Sequence, residues 1–127
     1  EHVKMTAIPV HHGDIPALAW RIEIDGQSIV ITGSFNNSKN LAATFAKDAD
    51  ALVVSHAIPE NSRGVLRDLY ARPSQLGRVA NQADARMMIL GHRNVRTRGR
   101  ESLSRNAIEE NYDGTILFAN DGECWGL

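Results

Sequence analysis

The sequence has little of three things that would narrow its class: cysteine, long apolar runs and an excess of one charge. Because Cys124 is the only cysteine, an intramolecular disulfide and a multi-cysteine zinc site are excluded, and thiol content indicates no compartment. The longest apolar runs, such as 51–54 and 87–90, fall far short of the roughly 18 residues of a membrane span. We therefore expect a soluble chain without a membrane partner, either cytoplasmic or periplasmic.

The near balance of positive and negative charge excludes one class of protein. Fourteen Lys and Arg residues oppose 15 Asp and Glu residues, for a net charge of −1, which excludes the strongly basic character of a dedicated nucleic-acid-binding domain. A length of 127 residues with 43% hydrophobic content predicts a single domain over residues 1–127. The first residue is Glu1 rather than Met, and it lies next to a β-prone segment, which suggests a fragment of a longer protein.

The first third of the chain predicts an antiparallel hairpin. A β-prone segment at 3–10 ends at a polar loop at 11–14, and two further β-prone segments at 17–24 and 27–32 flank Asp25 and Gly26. An Asp-Gly pair between two such segments favours a tight type I′ turn, since both residues tolerate positive φ angles.

The remainder of the chain alternates between helical and buried-strand patterns. Apolar spacing predicts a short helix near 41–46, a helix that begins at Pro73 and a helix at 101–111. Short unalternated apolar runs at 51–55, 87–90 and 115–119 are typical of strands covered on both faces. The predicted fold class is therefore α/β, a mixed sheet with an N-terminal antiparallel hairpin.

Histidines follow several of the predicted strands. In open α/β sheets ligands bind beyond the carboxyl ends of the strands, and those positions hold His11 and His12, His56, and His92. Imidazole suits a metal site or acid–base chemistry, although the same residues are also typical of exposed loops. His11 and His12 are adjacent and would point to opposite faces of a strand, so we expect at least one of them to face solvent.

Five arginines lie close together after the penultimate strand. They precede or begin the last predicted helix, and they are Arg93, Arg96, Arg98, Arg100 and Arg105. Guanidinium groups beside a helix N-terminus favour an anion site. The alternative is a solvated loop whose arginines pair with neighbouring acids.

Several segments together resemble the C-terminal half of a metallo-β-lactamase-fold hydrolase of the ribonuclease Z-like or arylsulfatase-like branch. They lie at 16–23, 25–26, 28–33, 40–41, 49–54 and 88–93, and the likeness extends through 98–101 and the tail at 118–124. The resemblance implies half of an αββα sandwich with helices on one face of its sheet. It also implies hydrolysis by metal-bound hydroxide, with two zinc ions in the family.

The same resemblance assigns roles to three residues. His92 matches the histidine that closes the metal site, and Ser34 stands at the position of the bridging aspartate. A hydroxyl replaces a bridging carboxylate poorly, so a dinuclear site is in doubt. His56 matches a catalytic histidine that assists proton transfer, with Ala57 in place of the following glutamate. The family's HxHxDH motif is absent.

The sequence and the resemblance together are compatible with two alternative functions. In the first, the chain is a half-domain of a metal-dependent hydrolase that is inactive alone and, in its full-length form, acts on a small-molecule or phosphodiester substrate. In the second, it is a metal-free binding or assembly module that recognises an anionic partner through residues 93–105. Because half of a sandwich leaves an apolar sheet face uncovered, we also expect a homodimer or a strand-exchanged oligomer.

Overall fold

The computed structural model of the protein describes residues 2–127. Its strands are β1 (Lys4–His12), β2 (Ile15–Ile24), β3 (Gln27–Ile31), β4 (Ala51–Ser55), β5 (Met87–Gly91) and β6 (Thr115–Phe118). Its helices are α1 (Ala42–Phe45), α2 (Val65–Leu69), α3 (Pro73–Ala83) and α4 (Glu101–Glu109).

The six strands form one mixed sheet in sequence order, β1-β2-β3-β4-β5-β6. β2 is antiparallel to β1 and to β3, and β3 to β6 are parallel. Because β1 and β3 both oppose β2, β1 runs in the same direction as the parallel strands. The carboxyl ends of β1, β3, β4, β5 and β6 therefore all lie at one edge of the sheet.

The predicted hairpin is confirmed. Ile24 pairs with Gln27, and the turn residues Asp25 and Gly26 have φ angles of 50° and 79°. Both are left-handed, as a type I′ turn requires. This turn sets the register that places Ala19 and Val30 on the helix-covered face.

The main core lies between the sheet and the helices. Alternate residues of the strands, among them Val30, Leu52, Met88 and Leu90, are buried with the apolar stripe of α3. α3 begins at Pro73 as predicted, and Glu60 accepts a hydrogen bond from the Ser74 amide at 2.8 Å. A carboxylate at a helix N-terminus satisfies a free amide and interacts favourably with the helix dipole.

The opposite face of the sheet is apolar and only partly covered. A second cluster of Ala51, Met87 and Ile89 is buried there, but towards the hairpin the side chains of Leu18, Trp20 and Ile31 are 49%, 40% and 39% exposed. The α/β class, the antiparallel hairpin and the mixed sheet are thus as predicted, with large apolar side chains open to solvent on one side.

The structure differs from the sequence prediction in three places. β1 continues through His11 and His12, which the prediction assigned to a loop, because both pair with β2 opposite Pro16 and Ile15. α2 was not predicted, since it is five residues long and buries none of them, so it lacks an apolar stripe. α4 ends at Glu109, two residues before the predicted end.

None of the helices within residues 2–127 is long and apolar enough to cross a membrane.

Gly77 of α3 packs directly against the backbone of α4, and Gly77→Ala should destabilise the protein. A Cβ at this position would lie 2.7 Å from the carbonyl oxygen of Ile108, so the backbone of α4 must move. Alanine's higher helix propensity would contribute about 1 kcal/mol, whereas overpacking costs about 1 to 3 kcal/mol. We expect a net loss in the free energy of unfolding, measured by urea denaturation.

The matched control is Gln82→Ala, an exposed position on the same helix, which should leave stability nearly unchanged. A Gly77→Ala variant as stable as its parent or more stable would contradict close packing of the two helices here.

Candidate functional site

The edge formed by the strand carboxyl ends collects the residues predicted to be functional. His56 directly follows β4 and His92 directly follows β5, whereas Ser34 lies three positions after the end of β3. Two hydroxyls anchor the Gly33 carbonyl beside Ser34: the Oγ1 of Thr32 donates to it at 3.0 Å and the Oγ of Ser55 at 3.2 Å. Ser34 itself is half-buried.

His56 is buried, with 1% of its surface exposed. Its Nε2 lies 2.7 Å from the Oγ of Ser104 in α4, its ring packs on Phe118 with centroids 5.4 Å apart, and its Nδ1 is buried without a partner. Desolvation lowers the pKa of His56 to about 4, with Glu101 opposing and Arg93 adding to that shift. The neutral ring is therefore the form present at pH 7, and a role in proton transfer stays a prediction.

The loop that carries His92 is fastened to the loop after β4. The His56 amide donates to the Gly91 carbonyl at 2.7 Å, and the Oγ1 of Thr97 donates to the His56 carbonyl at 2.8 Å. The Nδ2 of Asn94 donates to the Ala57 carbonyl at 3.0 Å. His92 has a φ of 56°, a left-handed conformation that non-glycine residues seldom adopt, and these bonds hold the chain on either side of it.

His92 is exposed and lines an open polar cleft of about 580 Å³ at the carboxyl edge. The cleft is lined by Gly91, His92, Arg93, Arg98, Ala119, Asn120 and Asp121. Imidazole, guanidinium and carboxylate groups thus face one space, which suits a polar ligand with at least one anionic group.

The predicted arginine cluster divides into two kinds of residue. Arg93 has structural partners: its Nη1 donates to Glu101 at 2.9 Å and its Nη2 to the Ala119 carbonyl at 2.6 Å and to the Oδ1 of Asn120. The pKa of Glu101 is lowered by its own backbone amide first and then by Arg93. By contrast, Arg96, Arg98 and Arg100 are exposed and form no salt bridge within residues 2–127.

His12, one of the histidines that the sequence places after a strand, lies at the same edge, and so does Tyr70, which was not predicted as a site residue. The Nδ1 of His12 lies 2.5 Å from the Leu69 carbonyl. The Tyr70 ring lies 5.1 Å from the His12 ring and 6.1 Å from the His92 ring, centroid to centroid. His11 and His12 are both half-buried, and the solvent-facing role predicted for one of them stays a prediction.

The donor set does not make a complete metal site within this part of the chain. Among residues 2–127 no three His, Cys, Asp or Glu side chains are close enough to hold one ion. His92 is a single imidazole and Ser34 a neutral hydroxyl, and a structural or catalytic zinc ion takes at least three protein ligands. A metal at this edge would need donors from outside the described residues.

Similar solved structures identify the fold. The chain superposes on a metallo-β-lactamase fold protein, YhfI from Bacillus subtilis, with a TM-score of 0.80 and 19% identity over 98% of this chain and 50% of that one. A diphosphatase of the PhnP family gives a TM-score of 0.68 and 15% identity over 95% of this chain and 42% of that one. Yeast PDE1 gives a TM-score of 0.67 and 16% identity over 94% of this chain and 44% of that one.

A protein of Parabacteroides distasonis described as a metal-dependent hydrolase is also similar, with a TM-score of 0.60 and 16% identity over 91% of this chain and 51% of that one. No family model matches the sequence, and no curated protein matches it. The chain therefore has part of the metallo-β-lactamase fold, as the sequence resemblance implied, and it spans about half the length of these solved structures.

Burial of His56 should make stability depend on pH. The pKa of His56 in the folded protein, about 4, lies below the 6.5 of an unperturbed histidine, so the unfolded chain binds the proton more tightly. The stabilisation is present above pH 6.5 and is lost as the pH falls towards 4, by up to roughly 3 kcal/mol. Urea unfolding at a series of pH values between 7.5 and 4 measures this loss.

His56→Gln removes the titrating group, and this variant should show a shallower fall in stability over the same range. His2→Ala, at an exposed histidine, is the matched control and should keep the slope of the parent. Equal slopes for the parent and His56→Gln would contradict a buried neutral imidazole.

Proposed function

We propose that this chain is one half of a metal-dependent hydrolase domain and is inactive on its own. The observation that carries the proposal is the match of 98% of this chain to only 50% of a metallo-β-lactamase fold protein, together with the partly exposed apolar sheet face. An apolar face of this kind is stable when a second sheet packs against it. The second half of the domain would supply that sheet.

His92 is the residue that we propose as this chain's metal ligand, with zinc as the metal. Its support is its position directly after β5, its exposure and its place in the polar cleft. Ser34 stands at the position of the bridging carboxylate in the resembled family, and its hydroxyl lacks the negative charge that would hold two dications together. A single ion is therefore favoured over a pair.

The proposed substrate class is a small anionic ester, including phosphodiesters. Arg98 and His92 line the same cleft, and Arg98 forms no salt bridge within residues 2–127, so its guanidinium group is free for an anionic ligand. A diphosphatase is among the similar structures. The ribonuclease Z-like assignment stays a prediction from the sequence.

Metal content separates the half-domain from a complete enzyme. We expect the product of the complete reading frame that encodes these residues to carry about one zinc ion per chain and the 127-residue chain to carry essentially none, because a catalytic site needs about three protein ligands. Elemental analysis of both purified proteins measures this, with hydrolysis of bis(p-nitrophenyl) phosphate as the activity readout.

His92→Ala in the longer protein should lower both zinc content and hydrolysis, whereas Val95→Ala, an exposed position in the same loop, should lower neither. Ser34→Asp should raise zinc uptake. A longer protein without metal, or one whose zinc content is unchanged by His92→Ala, would contradict the proposal.

The second candidate function is a metal-free module that recognises an anionic partner. The exposed side chains of Arg96, Arg98 and Arg100 favour it, since they remain available for an anion. Arg93 does not contribute to this surface, because Glu101, Ala119 and Asn120 already accept its hydrogen bonds. Absence of zinc from the longer protein would support this second function.

We further propose that the 127-residue chain forms a homodimer through the open sheet face, where a second copy takes the place of the missing half. Trp20 and Ile31 pair across β2 and β3 on this face, and contiguous exposed apolar residues mark interaction surfaces. Light scattering should report twice the mass of one chain. Trp20→Glu should shift the protein to monomer, because a charge cannot be buried unpaired at low cost.

Val95→Glu is the matched control for the dimer, because Val95 is 90% exposed on the loop before α4 and not on the sheet. This variant should stay dimeric. A monodisperse monomer for the 127-residue chain at working concentration would contradict the proposal.

A further inference from the structure

The open face of the sheet is exposed in one part and covered in another. On the hairpin part Leu18, Trp20 and Ile31 are 49%, 40% and 39% exposed, whereas on the β4–β5 part Met87 and Ile89 are only 8% and 9% exposed. The helices do not account for this difference, because they pack against the main core on the opposite face. Another segment of the chain therefore lies over β4 and β5.

The tail after β6, residues 119–127, is fastened at both edges of the sheet. At the carboxyl edge the Ala119 amide donates to the Leu90 carbonyl at 2.9 Å, and Ala119 packs against the second cluster on the open face. At the amino end of β3 the Nε2 of Gln27 donates to the Leu127 carbonyl at 3.3 Å. β6 and β3 are three strand spacings apart, each of about 4.8 Å, so a segment that joins these two points has to cross β5 and β4.

A turn sends the tail back towards the amino edge of the sheet. The Glu123 amide donates to the Asn120 carbonyl at 3.2 Å, and the Nδ2 of Asn120 donates to the Glu123 carboxylate at 2.7 Å. Gly122 has a φ of 81°, a left-handed conformation that glycine adopts readily. Beyond the turn Trp125 is 38% exposed although it belongs to no helix or strand, so most of its side chain rests on other residues.

We infer that the tail covers the β4–β5 part of the open face within its own chain, and that the surface left for a second copy is the hairpin part alone. The strand residues of the hairpin part on this face include no Asp, Glu, Lys or Arg, and the large ones are Met5, Leu18, Trp20, Ile22 and Ile31. Such a surface offers no ion pair to a charged partner, whereas two copies of it can bury each other's apolar side chains across a two-fold axis.

The position of the tail depends only on the contacts within one chain. The restriction of the docking surface rests in addition on the homodimer proposed above, so the two parts of the inference need separate measurements.

A nitroxide on Cys124 tests the position of the tail. Cys124 is the only cysteine and is exposed, so the unmodified sequence accepts a single spin label in the tail. A nitroxide broadens the amide resonances of nearby residues, and we expect the labelled chain to lose the signals of Met87 and Ile89. The signals of α2, which lies beside His12 of β1 at the far side of the sheet, should persist. The same sample after reduction of the nitroxide is the reference.

A mixed sample shows whether the tail covers its own chain or a partner. Spin-labelled chain without ¹⁵N is mixed with ¹⁵N-labelled chain without a nitroxide, and we expect Met87 and Ile89 to keep their signals.

Tryptophan fluorescence tests the docking surface, because the chain has two tryptophans, one in each part of the face. Trp125→Phe leaves Trp20 as the reporter, and the matched variant Trp20→Phe leaves Trp125. Dilution from dimer to monomer should shift the Trp20 emission to longer wavelength, since its ring becomes hydrated, and should leave the Trp125 emission unchanged. If either variant does not fold, ¹⁹F NMR of the parent chain with fluorinated tryptophan follows both indoles in one sample.

Unchanged signals of Met87 and Ile89 in the labelled chain would overturn the covering of the face by the tail, and so would their loss in the mixed sample, which would place the tail on a partner. A dilution response from Trp125 would overturn the restriction of the docking surface to the hairpin part. A chain that is monomeric at every concentration would contradict the homodimer and with it the docking surface, while the nitroxide result still decides on the tail.

Discussion

The common direction of β1 and of β3 to β6 is the constraint on which the chemistry of this protein depends. Hydrogen bonding between β2 and its two antiparallel neighbours forces β1 to point the same way as the parallel strands. As a result, His12, Ser34, His56 and His92, which are up to 80 residues apart in sequence, share one edge. A one-residue slip between β1 and β2 would turn the β1 side chains to the opposite face of the sheet, and His12 would lose its contact with Tyr70.

Hydrogen bonds between loops then decide which of these residues are available. The bonds of His56, Thr97 and Asn94 tie the β4 and β5 loops together, and they leave His92 exposed while His56 is enclosed beside Ser104. Burial of a neutral imidazole with one unpartnered nitrogen costs free energy. The hydrogen bonds of Arg93 likewise connect distant segments, because they join the β5 loop to α4 and to the tail after β6.

The two faces of the sheet have different roles. Helices cover one face and complete the core, whereas the other face carries Leu18, Trp20 and Ile31 partly open to water. This asymmetry agrees with a match to about half of each similar structure. The polar cleft at the carboxyl edge is open as well, and the described residues alone do not supply three metal donors there.

The sequence by itself determined the α/β class, the Asp25-Gly26 hairpin, the start of α3 at Pro73 and the placement of His56 and His92 after buried strands, because these depend on local turn geometry and on apolar periodicity. It also carried the resemblance to half of the metallo-β-lactamase fold. It did not show α2, which has no buried stripe, or the extension of β1 to His12, which depends on pairing with β2.

Only the tertiary structure decided that His56 is buried, that Arg93 is paired and that Tyr70 stands against both His12 and His92. Each of these depends on contacts between residues far apart in the chain, which no local pattern encodes.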